Sequence, residues 1–134
     1  MRAMRTTLGL LVCAAVLGLA AVGTSGAVVS KAPFRGGLTA QTHTPTVNTR
    51  WAYVVSAKTF AGRALKASAH LQVFENGKRV DIVGWRQFTG ILRGTKRWPA
   101  STRGHRYVFQ ALVIATGANG RKSQLRLNYA VSPR

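Results

Sequence analysis

The sequence predicts an all-β protein, a single antiparallel β-sandwich of six or seven strands that follows an N-terminal signal peptide helix. Three observations predict this fold class. From residue 50 onward apolar and polar residues alternate with a period of two, turn signals recur at about the eight- to twelve-residue spacing of a sandwich, and two Asn-Gly pairs separate alternating segments. No segment of comparable length carries a better helical stripe.

The N-terminus has the three-part pattern of a secretory signal peptide. Two arginines precede an apolar run over residues 8–22, and the small residues GTSGA follow it. Small side chains at Ser25 and Ala27 favour cleavage after Ala27, with Gly23 as the second choice. We therefore predict a signal peptide over residues 1–27 and a secreted, extracytoplasmic product that associates with the cell envelope.

Cleavage of this segment has two alternatives. An uncleaved membrane anchor is one, but the apolar run is shorter than the roughly 20 residues that a spanning helix needs. Lipid attachment to Cys13 is the other, although Val12 stands where such sites have a small residue. Cys13 is the single cysteine, so cleavage after Ala27 leaves a domain with no disulfide, thiol nucleophile or thiolate metal ligand. Cleavage also removes the apolar run, and we expect no stable membrane insertion afterwards.

Residues 28–49 are rich in Thr, Ser, Gly and Pro, with few large apolar side chains after Phe34 and Leu38. This composition predicts an extended lead-in whose last part is a candidate first edge strand. The sandwich domain then occupies residues 50–134. Its first clear strand lies over residues 51–59, which are rich in β-branched and aromatic side chains.

The next two strands are predicted from a hairpin turn at Asn76 and Gly77. In the strand before this turn, alternate apolar residues share one face: Leu65, Ala67, Ala69, Leu71 and Val73. A two-residue loop sets the register across the turn. The cross-strand pairs that it predicts are Val73–Val80, Leu71–Ile82 and Gln72–Asp81.

The closing hairpin is predicted around the second Asn-Gly pair. A two-residue loop there opposes Val113 to Arg126 and so mixes the core face with the polar face. A three-residue loop over 118–120, with Gly120 in the left-handed conformation, keeps apolar residues together. The pairs that it predicts are Tyr107–Val131, Phe109–Tyr129, Ala111–Leu127 and Val113–Leu125.

The last two strands carry a recurring pattern. Gly104 is followed by Tyr107, by alternating apolar residues, by the turn at Gly120 and by a final alternating strand. In this order of residues the segment 103–131 resembles the end of bacterial immunoglobulin-like modules, especially the PKD and fibronectin type III-like types. The resemblance implies an immunoglobulin-like sandwich that acts as a scaffold or recognition module.

Charge is the outlying feature of the composition. The chain has 20 Lys and Arg residues against two acidic ones, Glu75 and Asp81, and a formal net charge of +18. Most of the basic residues are arginines, whose planar guanidinium suits phosphate, sulfate or carboxylate groups. We therefore expect a polyanionic partner, such as an anionic polysaccharide, a teichoic-type polymer or nucleic acid. A diffuse, solvated basic surface is the alternative.

The best candidate for the contact lies in residues 84–106, where basic and aromatic residues are interleaved. Basic groups hold a chain of anions while aromatic rings stack on bases or sugars. A turn at 94–97 and a loop at 99–104 are expected to display this charge at the ends of the sandwich. The predicted polyanion-binding residues are Arg86, Arg93, Lys96, Arg97, Trp98, Arg103 and Arg106. The alternative, which we favour for all three tryptophans, is that they fill the core or cover an edge.

A second candidate surface is the outer side of the strand that begins at Tyr107. Val108, Leu112 and Ile114 point outward if the predicted core pairs are right, and a solvated strand face is rarely so apolar. We expect the lead-in of the same chain to cover them. The alternative is an interaction face for another protein or a second copy of this chain.

The available residues argue against an enzyme. The predicted hairpin register places Glu75 and Asp81 on opposite faces, so no acid pair forms. The three histidines are scattered, and we predict no catalytic residues, no metal site and no cofactor. These observations predict a non-catalytic binding or structural module that recognises an anionic polymer, with protein–protein interaction as the alternative. A hydrolase that uses His70 and His105 is the third possibility.

Overall fold

The computed structural model describes residues 27–29, 33–116 and 120–134. Within these residues it has eight strands and one short 3₁₀ helix, which spans Ala100–Thr102. The strands are β1 (Ala27–Val29), β2 (Arg35–Ala40), β3 (Arg50–Lys58), β4 (Lys66–Glu75), β5 (Lys78–Thr89), β6 (Ile91–Arg97), β7 (Tyr107–Thr116) and β8 (Lys122–Val131).

The strands form two antiparallel sheets that pack face to face. The first sheet has the order β1-β2-β3-β6, and the second has the order β5-β4-β7-β8. The chain changes sheet between β3 and β4, between β5 and β6, and between β6 and β7. The predicted all-β antiparallel sandwich is confirmed. The described residues contain eight strands rather than six or seven, because the short β1 adds to the count.

The N-terminal part of the chain is described only in part. The predicted signal peptide, residues 1–27, lies outside the described residues except for its last residue. The lead-in, residues 28–49, supplies two of the three residues of the edge strand β1 and all of β2, which lies between β1 and β3. Beyond β2 the lead-in packs against the end of β8, where the amide of Ser132 donates to the carbonyl of His43 (2.7 Å) and the His43 ring stacks on Tyr129 (4.0 Å).

An aromatic cluster forms the centre of the core. The ring centroid of Trp51 on β3 is 5.4 Å from Trp98, 5.2 Å from Phe109 and 6.1 Å from Tyr129. The Trp51 indole also donates to the carbonyl of Thr42 (2.8 Å), so its polar atom is satisfied. Trp51 and Trp98 are each 1% exposed, which confirms that these two tryptophans fill the core.

The β4–β5 hairpin has the predicted turn but not the predicted register. Asn76 and Gly77 both have positive φ, at 52° and 80°, as a two-residue type I′ turn requires. After two pairs, bulges shift the register twice, so that Val73 faces Asp81 rather than Val80. The predicted pairs that are therefore wrong are Val73–Val80, Leu71–Ile82 and Gln72–Asp81.

The position of β5 explains this failure. It is an edge strand whose residues are mostly exposed on both faces, including Val80 and Ile82. Because these apolar side chains face solvent in both the predicted and the observed register, burying them does not favour one register over the other. The bulge also turns Asp81 to the face of Val73, which is the face of Glu75 too. The prediction that the two acidic residues lie on opposite faces is wrong.

The β7–β8 hairpin has the predicted register over its whole length. Tyr107 faces Val131 and Val113 faces Leu125. The two predicted pairs between them, Phe109–Tyr129 and Ala111–Leu127, are also present. Gly120 has a φ of 77°, in agreement with the predicted left-handed residue, while 117–119 lie outside the described residues. The inward residues of both strands are buried. Because one face is covered by the first sheet, the apolar pattern determines the register.

Residues 94–97 form the end of β6 and not the predicted turn. Gly94 lies directly opposite Tyr53 of β3, and the Tyr53 ring occupies the space where a Cβ at position 94 would project. The glycine therefore permits close packing within the sheet rather than a reversal of the chain. The reversal between β5 and β6 occurs at Gly90, whose φ is 78°.

Candidate polyanion-binding face

The seven residues predicted to bind a polyanion do not form one site. The segment 84–106 passes through both sheets and through the loop between β6 and β7, so its side chains point in different directions. Arg93 and Arg97 lie on the outer face of the first sheet, and Arg103 and Arg106 lie in the loop. The other three lie at or inside the edge where the two sheets meet: Arg86, Lys96 and Trp98.

Lys96 and Trp98 take part in packing between the sheets. The Lys96 ammonium lies 4.8 Å from the Trp98 ring centroid and donates to Asp81 Oδ2 at 3.0 Å. The Lys96 side chain is only 12% exposed, so this ion pair joins the β6 edge of the first sheet to the β5 edge of the second. Trp98 is buried, and among the described residues its Nε1 is a buried polar atom without a hydrogen-bond partner. Neither side chain is open to a large ligand.

Arg86 faces the gap between the sheets rather than an outer face. It lies opposite the buried Ala69, and its guanidinium donates to the carbonyl of Trp85 (3.0 Å). Burial raises the pKa of Tyr53 above its usual value, and the positive charge of Arg86 partly opposes this effect. Arg86 is therefore a charged neighbour of the core.

Arg93 and Arg97 belong to a larger set of cations on the outer face of the first sheet. Both point outward from β6, where inward and outward residues alternate. Arg97 lies directly opposite Arg50 of β3, and it donates to the carbonyl of Asn48 (2.9 Å). The side chains of directly opposite residues share a face, with Cβ atoms about 5 Å apart. This end of the sheet therefore carries a pair of arginines, and Arg93 lies opposite Val54 near the middle of the same face.

Two more cations lie at the other end of the same face. Arg35 of β2 is directly opposite Lys58 of β3, and both point outward. The Arg35 guanidinium lies 5.8 Å from the ring centroid of Phe60, which is exposed. We call these five residues the basic face: Arg35, Arg50, Lys58, Arg93 and Arg97.

The surface between the two ends of the basic face is flat and carries one charge, that of Arg93 opposite Val54. The other outward residues there are uncharged: Gly37, Thr39, Ala52, Val54, Ser56, Ile91 and Thr95. Arg50 and Lys58 lie on one strand, about 27 Å apart at the rise of an extended chain. A surface of this shape is open to an extended polymer and does not enclose a small molecule.

The electrostatics of the basic face are unfavourable in the protein alone. Two pairs of like charges face each other across strands, Arg50 with Arg97 and Arg35 with Lys58. Directly opposed like charges destabilise a sheet. The two carboxylates of the chain lie on the second sheet, where each contacts a different basic partner. The repulsion within the basic face is therefore relieved by neither of them.

The loop between β6 and β7 carries a separate small group of charges. Arg103 and Arg106 are exposed there. His105 Nδ1 lies 2.8 Å from Glu75 Oε2, and this contact ties the loop to the end of β4. Burial raises the pKa of Tyr107, and the nearby negative charge of Glu75 raises it further.

The predicted interaction residues lie on the outer face of the second sheet. Val108 is exposed, and Leu112 and Ile114 are half-buried. The described part of the lead-in does not cover them, because β2 is hydrogen-bonded to β3 in the first sheet. The prediction that the lead-in covers this strand is therefore wrong for the described residues.

The residues considered for catalysis are dispersed. His70 lies on β4 opposite Leu112, whereas His105 precedes β7, so about 20 Å of strand separates the two histidines. Across the described ranges, no three His, Cys, Asp or Glu side chains group closely enough to hold a metal ion. Nor does any helix within those ranges have the length and apolar character to cross a membrane.

Three residues of the basic face were not predicted from the sequence: Arg35, Arg50 and Lys58. They lie outside the segment in which basic and aromatic residues are interleaved, and only the pairing of three strands brings them together with Arg93 and Arg97. In comparisons with known proteins, the chain matches no family model, no curated protein and no solved structure.

Proposed function

We propose that this chain is a secreted, non-catalytic binding module that holds an anionic polymer on its basic face. The observation that carries the proposal is the arrangement of cations in two cross-strand pairs, Arg50 with Arg97 and Arg35 with Lys58. In the free protein the members of each pair repel each other. A bound anion turns each pair into a two-sided, charge-assisted contact.

The shape of the basic face suits a polymer better than a small anion. Paired cations occupy its two ends, about 27 Å apart, and Arg93 lies between them on a flat surface. A small anion contacts one end only. A chain with repeated phosphate, sulfate or carboxylate groups contacts both ends at once, and binding at one end raises the effective concentration of the polymer at the other.

The net charge of the whole chain adds a long-range contribution. A formal charge of +18 attracts polyanions at low salt before any specific contact forms. Each anionic group that the protein neutralises releases counterions, so the affinity falls as salt rises. The same chemistry serves an anionic polysaccharide, a teichoic-type polymer or nucleic acid. The resemblance of residues 103–131 to immunoglobulin-like recognition modules supports a binding role rather than a catalytic one.

The test compares two variants that remove the same charge from different places. Affinity for duplex DNA, a teichoic-type polymer and a sulfated glycan is measured across salt concentrations for Arg50→Ser/Arg93→Ser/Arg97→Ser. Loss of three phosphate contacts on duplex DNA reduces the slope of log affinity against log salt by about 2.7. The polymer that loses most affinity in this variant is the class that the basic face binds.

The matched control is Arg63→Ser/Arg103→Ser/Arg106→Ser, in which three exposed loop arginines are removed. This control changes the net charge by the same amount and leaves the basic face intact. We expect it to keep most of the salt slope. Equal losses in the two triple variants mean that affinity depends on net charge alone, and the proposal is then wrong.

A protein-interaction module is the second candidate function. It is favoured by the uncovered side chains Val108, Leu112 and Ile114 on β7. Leu112 is flanked by the polar residues His70 and Arg126, whereas Val108 lies between Phe74 and Ala130. The apolar stripe therefore widens beyond one strand at its Val108 end, and polar groups border it at Leu112. This candidate predicts a complex that is insensitive to salt and lost in Leu112→Asp.

A further inference from the structure

We propose that the outer face of the second sheet is a separate binding site for a segment of an acidic polysaccharide. The site is centred on Trp85 of β5. Trp85 is 53% exposed, whereas Trp51 and Trp98 are each 1% exposed. Of the two positions expected for the tryptophans, Trp85 does not fill the core and instead lies on the edge strand β5. The site shares no residue with the basic face, and so the inference does not depend on the proposed function.

Trp85 is held as a flat platform by its neighbour on β4. It lies directly opposite His70, and the two rings stack in parallel, with centroids 4.5 Å apart and planes 5° apart. The imidazole supports one side of the indole and restricts its rotation. The exposed part of the indole is a flat apolar surface of the kind that packs against the apolar face of a sugar ring.

A depression of about 490 Å³ lies beside this platform. The outward side chains that line it come from all four strands of the sheet: Lys66, Ser68, Gln87, Ile114, Thr116 and Lys122. Gln87 is two residues from Trp85 on β5, so the two side chains share a face and the depression continues the platform. Its volume lies in the range of known ligand sites.

The charges around the platform select an acidic ligand. Lys66 and Lys122 line the depression. Arg126 lies opposite Leu112, which itself lies opposite His70, so Arg126 belongs to the same cross-strand row as Trp85. Both carboxylates of the chain turn to the inner side of the sheet, as their pairing shows. A carboxylate or sulfate group on a sugar therefore meets only cations on this face.

Uncharged polar groups complete the site and favour a polysaccharide over single-stranded nucleic acid. Ser68, Gln87 and Thr116 line the depression, and the Gln110 amide donates to Asn128 Oδ1 (2.9 Å) in the adjacent row. Such groups exchange hydrogen bonds with sugar hydroxyls. Proteins that hold single strands stack successive bases on several aromatic rings. Among the described residues of this face, Trp85 is the one exposed aromatic ring.

Tryptophan fluorescence tests the inference, because Trp85 is the exposed member of the three tryptophans. The full chain is titrated with polygalacturonate, with neutral dextran and with single-stranded DNA, and quenching by acrylamide is followed. We expect polygalacturonate to protect the exposed tryptophan and to shift its emission to shorter wavelength. We expect dextran and DNA to protect it much less.

Variants then locate the binding in the Arg50→Ser/Arg93→Ser/Arg97→Ser background, so that the basic face does not contribute. In that background we expect Trp85→Ala to lower the affinity for labelled polygalacturonate about tenfold, a loss of the size found for aromatic stacking. Trp85→Phe retains part of the affinity. Lys66→Ser/Lys122→Ser weakens binding and makes it less dependent on salt.

Several outcomes overturn the inference. DNA that protects Trp85 as well as polygalacturonate does makes the site a nucleic-acid site. Protection that rises with protein concentration in the absence of any polymer means that a second copy covers the face. Loss of protection in the triple arginine variant assigns the polysaccharide to the basic face. Binding of DNA that survives Trp85→Ala and is lost in the triple variant supports the proposed function whatever happens at Trp85.

Discussion

At the scale of single residues, the contact between Gly94 and Tyr53 joins the edge strand β6 to its neighbour β3 in the first sheet. A Cβ at position 94 would overlap the Tyr53 ring, which is buried and cannot move aside without disturbing the aromatic cluster. We therefore expect Gly94→Ala to lower the free energy of unfolding by about 1 to 3 kcal/mol, as overpacking of a core does. Urea denaturation measures the change.

The control for this prediction is Thr95→Ala, on the exposed side of the same strand. It tests the general cost of a substitution in β6. We expect its effect to stay within about 0.5 kcal/mol. Equal effects at the two positions would show that the Tyr53 ring adapts to a side chain at position 94.

The tryptophans show what a sequence can say about single residues. All three were expected to fill the core or to cover an edge, and Trp51 and Trp98 fill the core. Trp85 lies on the outer face of the edge strand β5, stacked on His70. The two bulges in β5 together add two residues, so they change the partner of Trp85 from Ser68 to His70 but leave it on the same face. The size of an indole favours burial in the core, and the hairpin register rather than residue type distinguishes Trp85 from the other two.

At the scale of strands, the two hairpins differ in how far their register follows from the sequence. The β7–β8 pairs were predicted correctly because the inward face of both strands is buried under the first sheet. The β4–β5 pairs were wrong after the second pair because β5 is an exposed edge strand. The register can be predicted where the wrong register would move apolar side chains from the core into solvent. It cannot be predicted where the strand is exposed to solvent in either register.

The basic face also depends on how the strands pair. Its five cations come from β2, β3 and β6, and their proximity depends on two registers that no window of the sequence contains. Arg93 and Arg97 were predicted because they lie in a basic segment. Arg35, Arg50 and Lys58 were not, since their own segments carry no such signal. The polyanion hypothesis followed from composition, but the location of the site required the pairing of the strands.

The cross-strand repulsion at Arg50 and Arg97 gives a stability prediction. Because like charges oppose each other there, we expect Arg50→Thr to raise the free energy of unfolding at low salt by about 0.2 to 1 kcal/mol. The gain should disappear near 1 M salt, where the screening length is about 3 Å. Urea denaturation at both salt concentrations measures it.

The control for this stabilisation is Arg126→Thr on β8. Arg126 is an exposed strand arginine that lies opposite the uncharged Leu112. It therefore reports the effect of the same substitution without a like-charged partner. An equal gain in Arg126→Thr would assign the effect to net charge or strand propensity, and the argument from opposed arginines would fail.

At the scale of the whole molecule, the two outer faces of the sandwich have different chemistry. The first sheet presents cations at both ends and near the middle of a flat surface, and the second presents an exposed indole, amide groups and a depression with two lysines. The core between them holds three tyrosines whose pKa values are raised by burial: Tyr53, Tyr107 and Tyr129. This shared core makes the stability of the sandwich sensitive to alkaline pH.

The sign of that sensitivity follows from the raised pKa values. Above about pH 10 an unfolded tyrosine loses its proton while the buried one keeps it, so the unfolded state binds fewer protons and stability falls as pH rises. The contribution of the tyrosines is complete below pH 10 and is lost above it. We expect the free energy of unfolding to decline between pH 9 and 11, and less steeply in Tyr53→Phe. A variant with the same slope as the wild type would contradict this account.

The most direct test of the central claim is an NMR titration of the ¹⁵N-labelled chain with a short sulfated oligosaccharide and, separately, a short DNA duplex. The basic face predicts that amide shifts change at both ends of β3, along β6 from Arg93 to Arg97 and at the start of β2, with at least one of the two ligands. Shifts that concentrate in the loop between β6 and β7, or that spread evenly over exposed arginines with both ligands, would contradict it.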